Sequence, residues 1–304
     1  MKNINELLDI TSDLHTDFIY KNLKAIYGKN GVLKQKNKYL VIAGDINENI
    51  HVLKRSLDDI IENTTYEKII ITLGNHDLRL NSEDLNYNIT NSIEKYEFLI
   101  NYFHDYRNKI HVIDKEDFII PNTKYIITGN MGWYNYTIRN EDRFYLEKYY
   151  HANFDKMSFG GITYNDRNYI KFNNEIKSNE EFAKYLENKL IQKLEQIKSN
   201  YNNYEIIAVS HVKPSRLLEK DSQYYLEYSF DQWEEIIKDG MKGLKLYGLD
   251  KIYGNAFFVN NNLSKIYEKY GVKYSIYGHT HYQGNEEINS IKYTTNALGY
   301  YGLS

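Results

Sequence analysis

The chain of 304 residues contains no cysteine and only two prolines. Without cysteine, disulfides and thiolate metal ligands are excluded, so a metal ion must be held by His, Asp, Glu, Asn and water. Oxygen and imidazole ligands fit manganese, iron, zinc, cobalt or nickel. The absence of cysteine does not by itself assign a compartment.

Long apolar runs and a strong net charge are also missing. No stretch approaches the roughly 18 consecutive apolar residues of a membrane-spanning helix, so we expect no membrane span. The first candidate metal ligand is already at position 13, which leaves no room for a cleavable signal peptide and predicts a cytoplasmic protein. A formal net charge of −3 does not indicate nonspecific nucleic-acid binding, although a local basic groove is compatible with this charge. Composition does not predict the oligomeric state.

What the chain does contain is a series of short polar motifs that together hold five of its nine histidines. Their carboxylate, amide and imidazole groups are the ligands that a pair of divalent metal ions needs. In chain order the motifs are Asp13-Leu14-His15, Gly44-Asp45, Gly74-Asn75-His76-Asp77, Ser210-His211 and Gly278-His279-Thr280-His281.

Each motif follows a short apolar run, which predicts a buried strand with the polar residues in the loop after its carboxyl end. These runs cover residues 7–10, 40–43, 69–73, 206–209 and 274–277. Helical periodicity appears between them, at residues 50–61, 93–103, 182–197 and 263–270. Ser178 with Glu181 predicts a capping box before the third helix, and Gly271 predicts the end of the fourth. The alternation of strand, loop and helix predicts an α/β fold.

The stretch at about 130–177 interrupts this alternation. It is rich in Tyr, Asn and Gly and has no sustained periodicity. Two interpretations remain open: an insertion that caps the site, or a surface excursion packed by its own aromatic residues. Trp133, Tyr134, Asp166 and Tyr169 are candidates for substrate contact, with roles that the sequence does not assign.

The motif series resembles the calcineurin-like metallophosphoesterase superfamily, specifically its bacterial-type members. That signature reads Asp-x-His, Gly-Asp, Gly-Asn-His-Asp/Glu, a lone His, then Gly-His-x-His. The resemblance implies a four-layer αββα sandwich of two mixed β-sheets flanked by helices. Because the motifs run from residue 13 to residue 281, we expect one domain over residues 1–304. The segment from Asn296 to Tyr300 is similar to a segment of those relatives that could border the phosphate.

The resemblance also implies two divalent metal ions per chain, with manganese favoured. Asp45 would bridge them, because a carboxylate between two dications offsets their mutual repulsion. The resemblance assigns the remaining ligands as Asp13, His15 and His281 for one ion, and Asn75, His211 and His279 for the other.

The same resemblance places His76 on the substrate side of the site. As an imidazolium, His76 would stabilise the phosphoryl group or protonate the leaving oxygen, while Asp77 orients it and raises its pKa. Two positions depart from the commonest family pattern: Glu48 stands where many relatives have Asp, and Asp77 where many have Glu.

The expected activity is hydrolysis of a phosphomonoester or phosphodiester by in-line attack of a metal-bridging hydroxide, with a small phosphorylated molecule as substrate. The alternative is a catalytically silent scaffold of the same fold that binds partners. The motifs do not distinguish monoester from diester and do not identify the leaving group.

Overall fold

The structure is a computed structural model that describes residues 4–16, 34–220, 226–240 and 248–299. Tyr300, the last residue of the segment expected near the phosphate, lies outside these ranges. Within them, no helix combines the length and the apolar character that a membrane crossing requires.

Two β-sheets form the centre of the fold. The first contains β1 (Leu8–Thr11), β2 (Tyr39–Ala43), β3 (Lys68–Thr72) and β4 (Ile110–Val112), parallel and in that order. The second contains β5 (Phe118–Ile119), β6 (Tyr125–Gly129), β9 (Glu205–Val209), β10 (Tyr274–Tyr277), β11 (Gln283–Ile288) and β12 (Ile291–Asn296), in the order β11-β12-β10-β9-β6-β5. A separate hairpin pairs β7 (Ser158–Phe159) with β8 (Ile162–Thr163). The predicted strands and the two-sheet architecture are confirmed. The mixed character belongs to the second sheet, whose outer pairs β5–β6 and β11–β12 are antiparallel.

Alternation of side chains along the strands explains why the sheets stack. Successive residues of a strand point to opposite faces. In β2, Val41 packs in the same core cluster as Ile207 and Val209 of the second sheet. Leu40 and Ile42 belong instead to the larger core that includes the helices. The strand is therefore buried on both faces, which is why its sequence reads as a continuous apolar run.

The helices are α1 (Ile50–Asn63), α2 (Ser92–Phe103), α3 (Asn140–Tyr150), α4 (Asn179–Asn200), α5 (Phe230–Asp239), α6 (Leu249–Asn255) and α7 (Asn261–Tyr270). The predicted helices at 50–61, 93–103, 182–197 and 263–270 are confirmed as α1, α2, α4 and α7, whereas α3, α5 and α6 were not predicted. Ser178 caps α4 by accepting the Glu181 N–H at 3.1 Å, but the Glu181 carboxylate accepts from the N–H of Lys177, so the capping box is only half formed. Gly271 ends α7 at φ 66°, as predicted.

A seam between β1 and β12 brings the two sheets together beside the motif loops. Asn296 Nδ2 donates to the Ile10 carbonyl at 2.7 Å, and the Leu298 N–H donates to the Ser12 carbonyl at 3.0 Å. Asn296 therefore joins the sheets. Gly299 of the same segment lies against the ring of His281, where an added Cβ would be 3.4 Å from the ring.

The stretch at 130–177 contains α3, the β7–β8 hairpin and a 3₁₀ turn at Asn165–Asn168. Its aromatic side chains pack on the body of the protein: the Tyr164 ring stacks on Phe257 at 4.5 Å. Trp133 is buried, and its Nε1 donates to Asn179 Oδ1 at 2.8 Å. This side chain therefore packs in the core and is not available to contact a substrate. The stretch is therefore packed by aromatic side chains, and through Asp166 it also contacts the Asn75 motif.

Candidate metal centre and active site

The seven expected ligands occupy loops directly after strands, and most adopt an unusual backbone. A left-handed φ costs a non-glycine residue roughly 1–3 kcal/mol and persists only where the surroundings enforce it. Five of the seven adopt it: Asp13 (φ 54°), His15 (41°), Asp45 (57°), His279 (74°) and His281 (55°). Five strained residues in one place indicate that contacts around the candidate site enforce the conformation of these loops.

The glycines in the motifs allow these loops to interlock. A Cβ on Gly74 would lie 2.1 Å from Oδ1 of Asp45, in the preceding loop. A Cβ on Gly44 would lie 2.5 Å from Nδ1 of His211, which comes from the other sheet. Both positions require glycine because neighbouring motifs approach within van der Waals distance of the bare backbone.

One half of the site consists of Asp13, His15 and His281. The Nε2 atoms of His15 and His281 are 2.9 Å apart, and His281 Nε2 is 3.6 Å from Asp13 Oδ1. These three residues offer ligand atoms that all lie within 4.8 Å of one another. Asp13 is completely buried, and this burial raises the pKa of its carboxyl.

The other half consists of Asn75, His211 and His279. His211 Nε2 lies 3.1 Å from Asn75 Oδ1 and 3.1 Å from His279 Nδ1. Both imidazoles are held from behind: His211 Nδ1 donates to the Ala43 carbonyl and His279 Nε2 to the Phe257 carbonyl, each at 2.8 Å. Such bonds fix the tautomer and aim the remaining ring nitrogen into the site.

Asp45 lies between the two halves. Its Oδ1 accepts the His76 N–H at 2.9 Å, which leaves Oδ2 at 3.8 Å from His15 Nε2 and 3.3 Å from His211 Nε2. Burial opposes ionisation of this carboxyl, yet the surrounding imidazoles, His211 foremost, hold the pKa of Asp45 well below its usual value. One carboxylate oxygen therefore faces both groups of ligands.

These donors fit metal cations. With their other nitrogens donating to carbonyls, His211 Nε2 and His279 Nδ1 are the ring nitrogens left to bind a cation or a proton, and Asn75 Oδ1 and Asp45 Oδ2 lie beside His211 Nε2 at 3.1 and 3.3 Å. Burial lowers the pKa of His15 to about 2 and of His279 to about 3, which keeps both in the neutral form that binds metals. Although burial opposes a charge on His211, Asp45 raises the pKa of its ring to about 9, so positive charge is favoured at this point.

His76 differs from the sequence expectation in its partner and its charge. Its Nε2 lies 4.0 Å from Asp45 Oδ2, and its Nδ1 accepts from Arg79 Nη1 at 2.8 Å. Burial, reinforced by the Arg79 cation against the opposing effect of Asp45, lowers the pKa of His76 to about 3. The ring is therefore a neutral imidazole, where the sequence predicted an imidazolium.

Asp77 does not take the orienting role that the sequence suggested. Its two carboxylate oxygens accept hydrogen bonds of 2.7–3.1 Å from four backbone N–H groups, those of Asp45, Ile46, Asn47 and Gly74. Asp77 thus fixes the loop that carries Asp45, and Arg79 is the hydrogen-bond partner of the His76 ring.

A cavity of about 500 Å³ opens beside His76 and the ligands. Its walls include Tyr164 from the 130–177 stretch, Tyr253 and Asp250 of α6, and Lys213, whose Nζ lies 3.3 Å from Glu219 Oε2. The sequence interpretation did not identify Arg79, Lys213 or Glu219. The sequence offered one indication of Arg79 and Lys213, because each lies two residues after the end of a motif.

Comparisons with known proteins show the family and the fold. The family model described as calcineurin-like phosphoesterase matches residues 8–283. No curated protein sequence matches the chain. Among solved structures, phosphopantetheinyl hydrolase from Mycobacterium tuberculosis is similar with a TM-score of 0.64 at 17% identity, covering 97% of this chain and 89% of its own. GAP50, the anchor in the inner membrane complex of Plasmodium, has a TM-score of 0.41 at 14% identity, covering 96% of this chain and 70% of its own, too distant to support an argument.

Proposed function

We infer the function of this chain from its family, since a match over most of its length means that it belongs to the calcineurin-like phosphoesterases. Members of this family hydrolyse phosphoesters with divalent metal ions, and the chain is accordingly a metal-dependent phosphoesterase. The number of ions, the residues that act and the kind of substrate go beyond family membership.

We propose a site for two divalent ions that share Asp45. The observation that carries this proposal is the single Oδ2 of Asp45 facing His15 on one side and His211 on the other, at 3.8 and 3.3 Å. Asp13, His15 and His281 would hold one ion, and Asn75, His211 and His279 would hold the other. Divalent ions held there would supply Lewis-acid chemistry, lowering the pKa of a water molecule and offsetting the charge of the phosphoryl oxygens. Manganese as the native metal and a cytoplasmic location stay predictions of the sequence.

His76 acts on the substrate as a neutral hydrogen-bond donor. Since Nδ1 accepts from Arg79, the ring proton is on Nε2, the nitrogen nearest Asp45. A donor fixed at this place stabilises negative charge on a phosphoryl oxygen without reorganisation during the reaction. Asp77 supports the same step indirectly, because it holds the backbone of the Asp45 loop.

A small phosphorylated molecule suits the cavity better than a polymer. Pockets for small ligands commonly enclose about 300–1,000 Å³, and the volume here is about 500 Å³. Residues Thr163, Tyr164 and Asn165 form part of its wall. We therefore propose that the 130–177 stretch is a cap of a single domain and selects the leaving group.

The test is hydrolysis of bis-p-nitrophenyl phosphate and p-nitrophenyl phosphate after reconstitution with Mn²⁺. Turnover of either substrate that is lost on chelation, lost in Asp45→Ala and kept in Asp231→Ala supports the proposal. Asp231 is a suitable control because it is an exposed carboxylate in the first turn of α5. The ratio of diester to monoester turnover then directs the search for the substrate.

Two bound ions per chain without turnover of either substrate or of a broader panel of phosphoesters would contradict a catalytic role and favour the scaffold alternative. Fewer than two ions at saturation would contradict the shared site. Counting the metal by atomic emission, in parallel with the assay, separates these two results.

A further inference from the structure

The carboxylate of Asp166, contributed by the cap, is buried among side chains of the active site. Asp166 has no solvent exposure and lies in the 3₁₀ turn Asn165–Asn168. It accepts from Asn75 Nδ2 with both oxygens, at 2.9 and 3.1 Å. It also accepts from Arg79 Nε at 2.9 Å and Nη2 at 2.7 Å, and from the Tyr134 hydroxyl at 3.3 Å. Among the described residues, this carboxylate thus binds the candidate ligand Asn75, the cavity residue Arg79 and the buried Tyr134.

The contact with Asn75 determines which end of its amide faces the metals. The two ends of an amide have nearly the same shape, so hydrogen bonds decide its orientation. Because Asp166 accepts only from the NH₂ group, the amide oxygen is directed to the other side, 3.1 Å from His211 Nε2. If the side-chain amide were turned over, Asn75 would direct its NH₂ group, and not its oxygen, towards a bound cation.

The contact with Arg79 extends the same control to His76. The guanidinium donates to Asp166 through Nε and Nη2 and to His76 Nδ1 through Nη1. Arginine can do this because its planar fork holds several donors in a fixed geometry. The position of the His76 ring therefore depends on a carboxylate that the cap supplies.

The cap is held in register at this point by backbone bonds. The Leu80 N–H donates to the Tyr169 carbonyl at 3.0 Å, and the Ser92 N–H donates to the Lys171 carbonyl at 2.7 Å. Arg79 also packs over the Tyr169 ring at 5.6 Å. The segment from Asp166 to Lys171 is thus attached directly to the chain that follows the Asn75 motif.

Stability alone does not account for this arrangement. Burying an ion pair costs about as much in desolvation as it returns, and apolar side chains of the same size often serve as well. We propose that Asp166 and Arg79 are positioning residues of the reaction, Asp166 for the metal ligand Asn75 and Arg79 for His76. The cap is then part of the catalytic apparatus as well as a wall of the cavity. The turnover part of this inference rests on the proposed function, whereas the metal-binding part does not.

The experiment compares Asp166→Asn with Asp142→Asn in the full chain. Asp142 is a matched control, since it is a buried carboxylate of the same cap, bonded to Arg139 at 2.7 Å by two hydrogen bonds, and its partners Arg139 and Trp233 are outside the proposed ligand set. In Asp166→Asn we expect the weaker of two Mn²⁺ affinities to fall about 10–100-fold, with kcat falling over the same range and KM changing less. Asp142→Asn should change neither, even where both variants lose similar thermal stability.

Arg79→Lys separates the two positioning roles. Lysine keeps the charge but cannot donate to Asp166 and His76 in the same geometry. We expect kcat to fall about tenfold or more while Mn²⁺ affinity stays within about twofold of wild type.

Wild-type kcat and Mn²⁺ affinity in Asp166→Asn would overturn the inference, and so would an equal loss in Asp142→Asn. A wild type that binds Mn²⁺ but hydrolyses nothing would refute the proposed function, and the Mn²⁺ titration of Asp166→Asn would still decide the role of Asp166.

Discussion

Within the part of the chain that the structure describes, two clusters combine histidine with carboxylate, and they differ in how they are held. The seven-ligand cluster is the set of expected metal ligands described above. The edge cluster consists of His104, His111 and Glu116, at and beside the edge strand β4, and its ligand atoms also lie within 4.8 Å of one another. His104 Nε2 is 3.2 Å from Glu116 Oε2. By residue type and distance alone the two are alike.

Their surroundings separate them. None of the three edge residues has a left-handed backbone, whereas five of the seven ligands do. The Glu116 side chain is 67% exposed, so water can solvate its carboxylate, while that of Asp45 is 2% exposed. We therefore expect metal binding at the seven-ligand cluster, where burial, fixed tautomers and an enforced backbone accompany the right ligand types and distances, and no metal binding at the edge cluster.

The strongest way to break the seven-ligand cluster is Asp45→Ala. Both halves lose their shared oxygen at once, so we expect fewer than two bound ions per chain and no detectable turnover. Metal analysis after dialysis and the p-nitrophenyl assays measure these two effects. A stoichiometry that stays near two would refute the bridging role of Asp45.

Gly74→Ala tests whether the loops must interlock. The new Cβ would lie 2.1 Å from Asp45 Oδ1, so the Asp45 loop must move. We expect a loss of about 1–3 kcal/mol in the free energy of unfolding, measured by urea denaturation, together with a large loss of turnover. Gly254→Ala is the control for the stability measurement, because its Cβ would meet only Phe258 at 3.7 Å within a helix. Turnover is not compared in this variant, since Gly254 lines the cavity. Equal stability of Gly74→Ala and wild type would contradict the tight approach.

His76→Ala should spare the cluster and affect the reaction. His76 faces the cavity but is outside the proposed ligand set, so we expect two bound ions and a fall in kcat on the order of 10². The exposed His151 gives a control variant, His151→Ala, with unchanged kcat. Unaltered turnover in His76→Ala would remove this residue from the mechanism.

The smallest effect is expected in the edge cluster. Glu116→Gln removes an exposed carboxylate, and exposed ion pairs contribute at most about 1 kcal/mol. We expect unchanged metal stoichiometry and unchanged turnover. If one bound ion disappears in this variant, the edge cluster is itself a metal site and the contrast drawn above is wrong.

The sequence predicts what depends on local pattern. Apolar runs identify the strands before Asp45 and Asn75, because those strands are buried on both faces, and a periodicity of 3.6 identifies helices such as α4. The candidate ligands could be selected because each follows such a strand. Their metal-binding role remains a prediction.

Contacts between distant residues could not be predicted in the same way. Arg79 meets Asp166 across 87 residues, in a stretch without periodicity. The role of Asp77 was also hidden, because its partners are backbone N–H groups, which have no residue signature. The sequence predicted His76 on the substrate side of the site, and the residue lines the cavity, but its neutral state depends on burial and on Arg79.

The separation of the ligands along the chain has a consequence for biosynthesis. Asp13 accepts the backbone N–H of His279, a residue 266 positions later. At about 5–20 residues per second, roughly 13–50 s pass between the synthesis of these two residues. During that time the nascent chain presents Asp13, His15 and Asp45 without their later partners. Assembly of the candidate site is therefore an event that follows translation of nearly the whole domain.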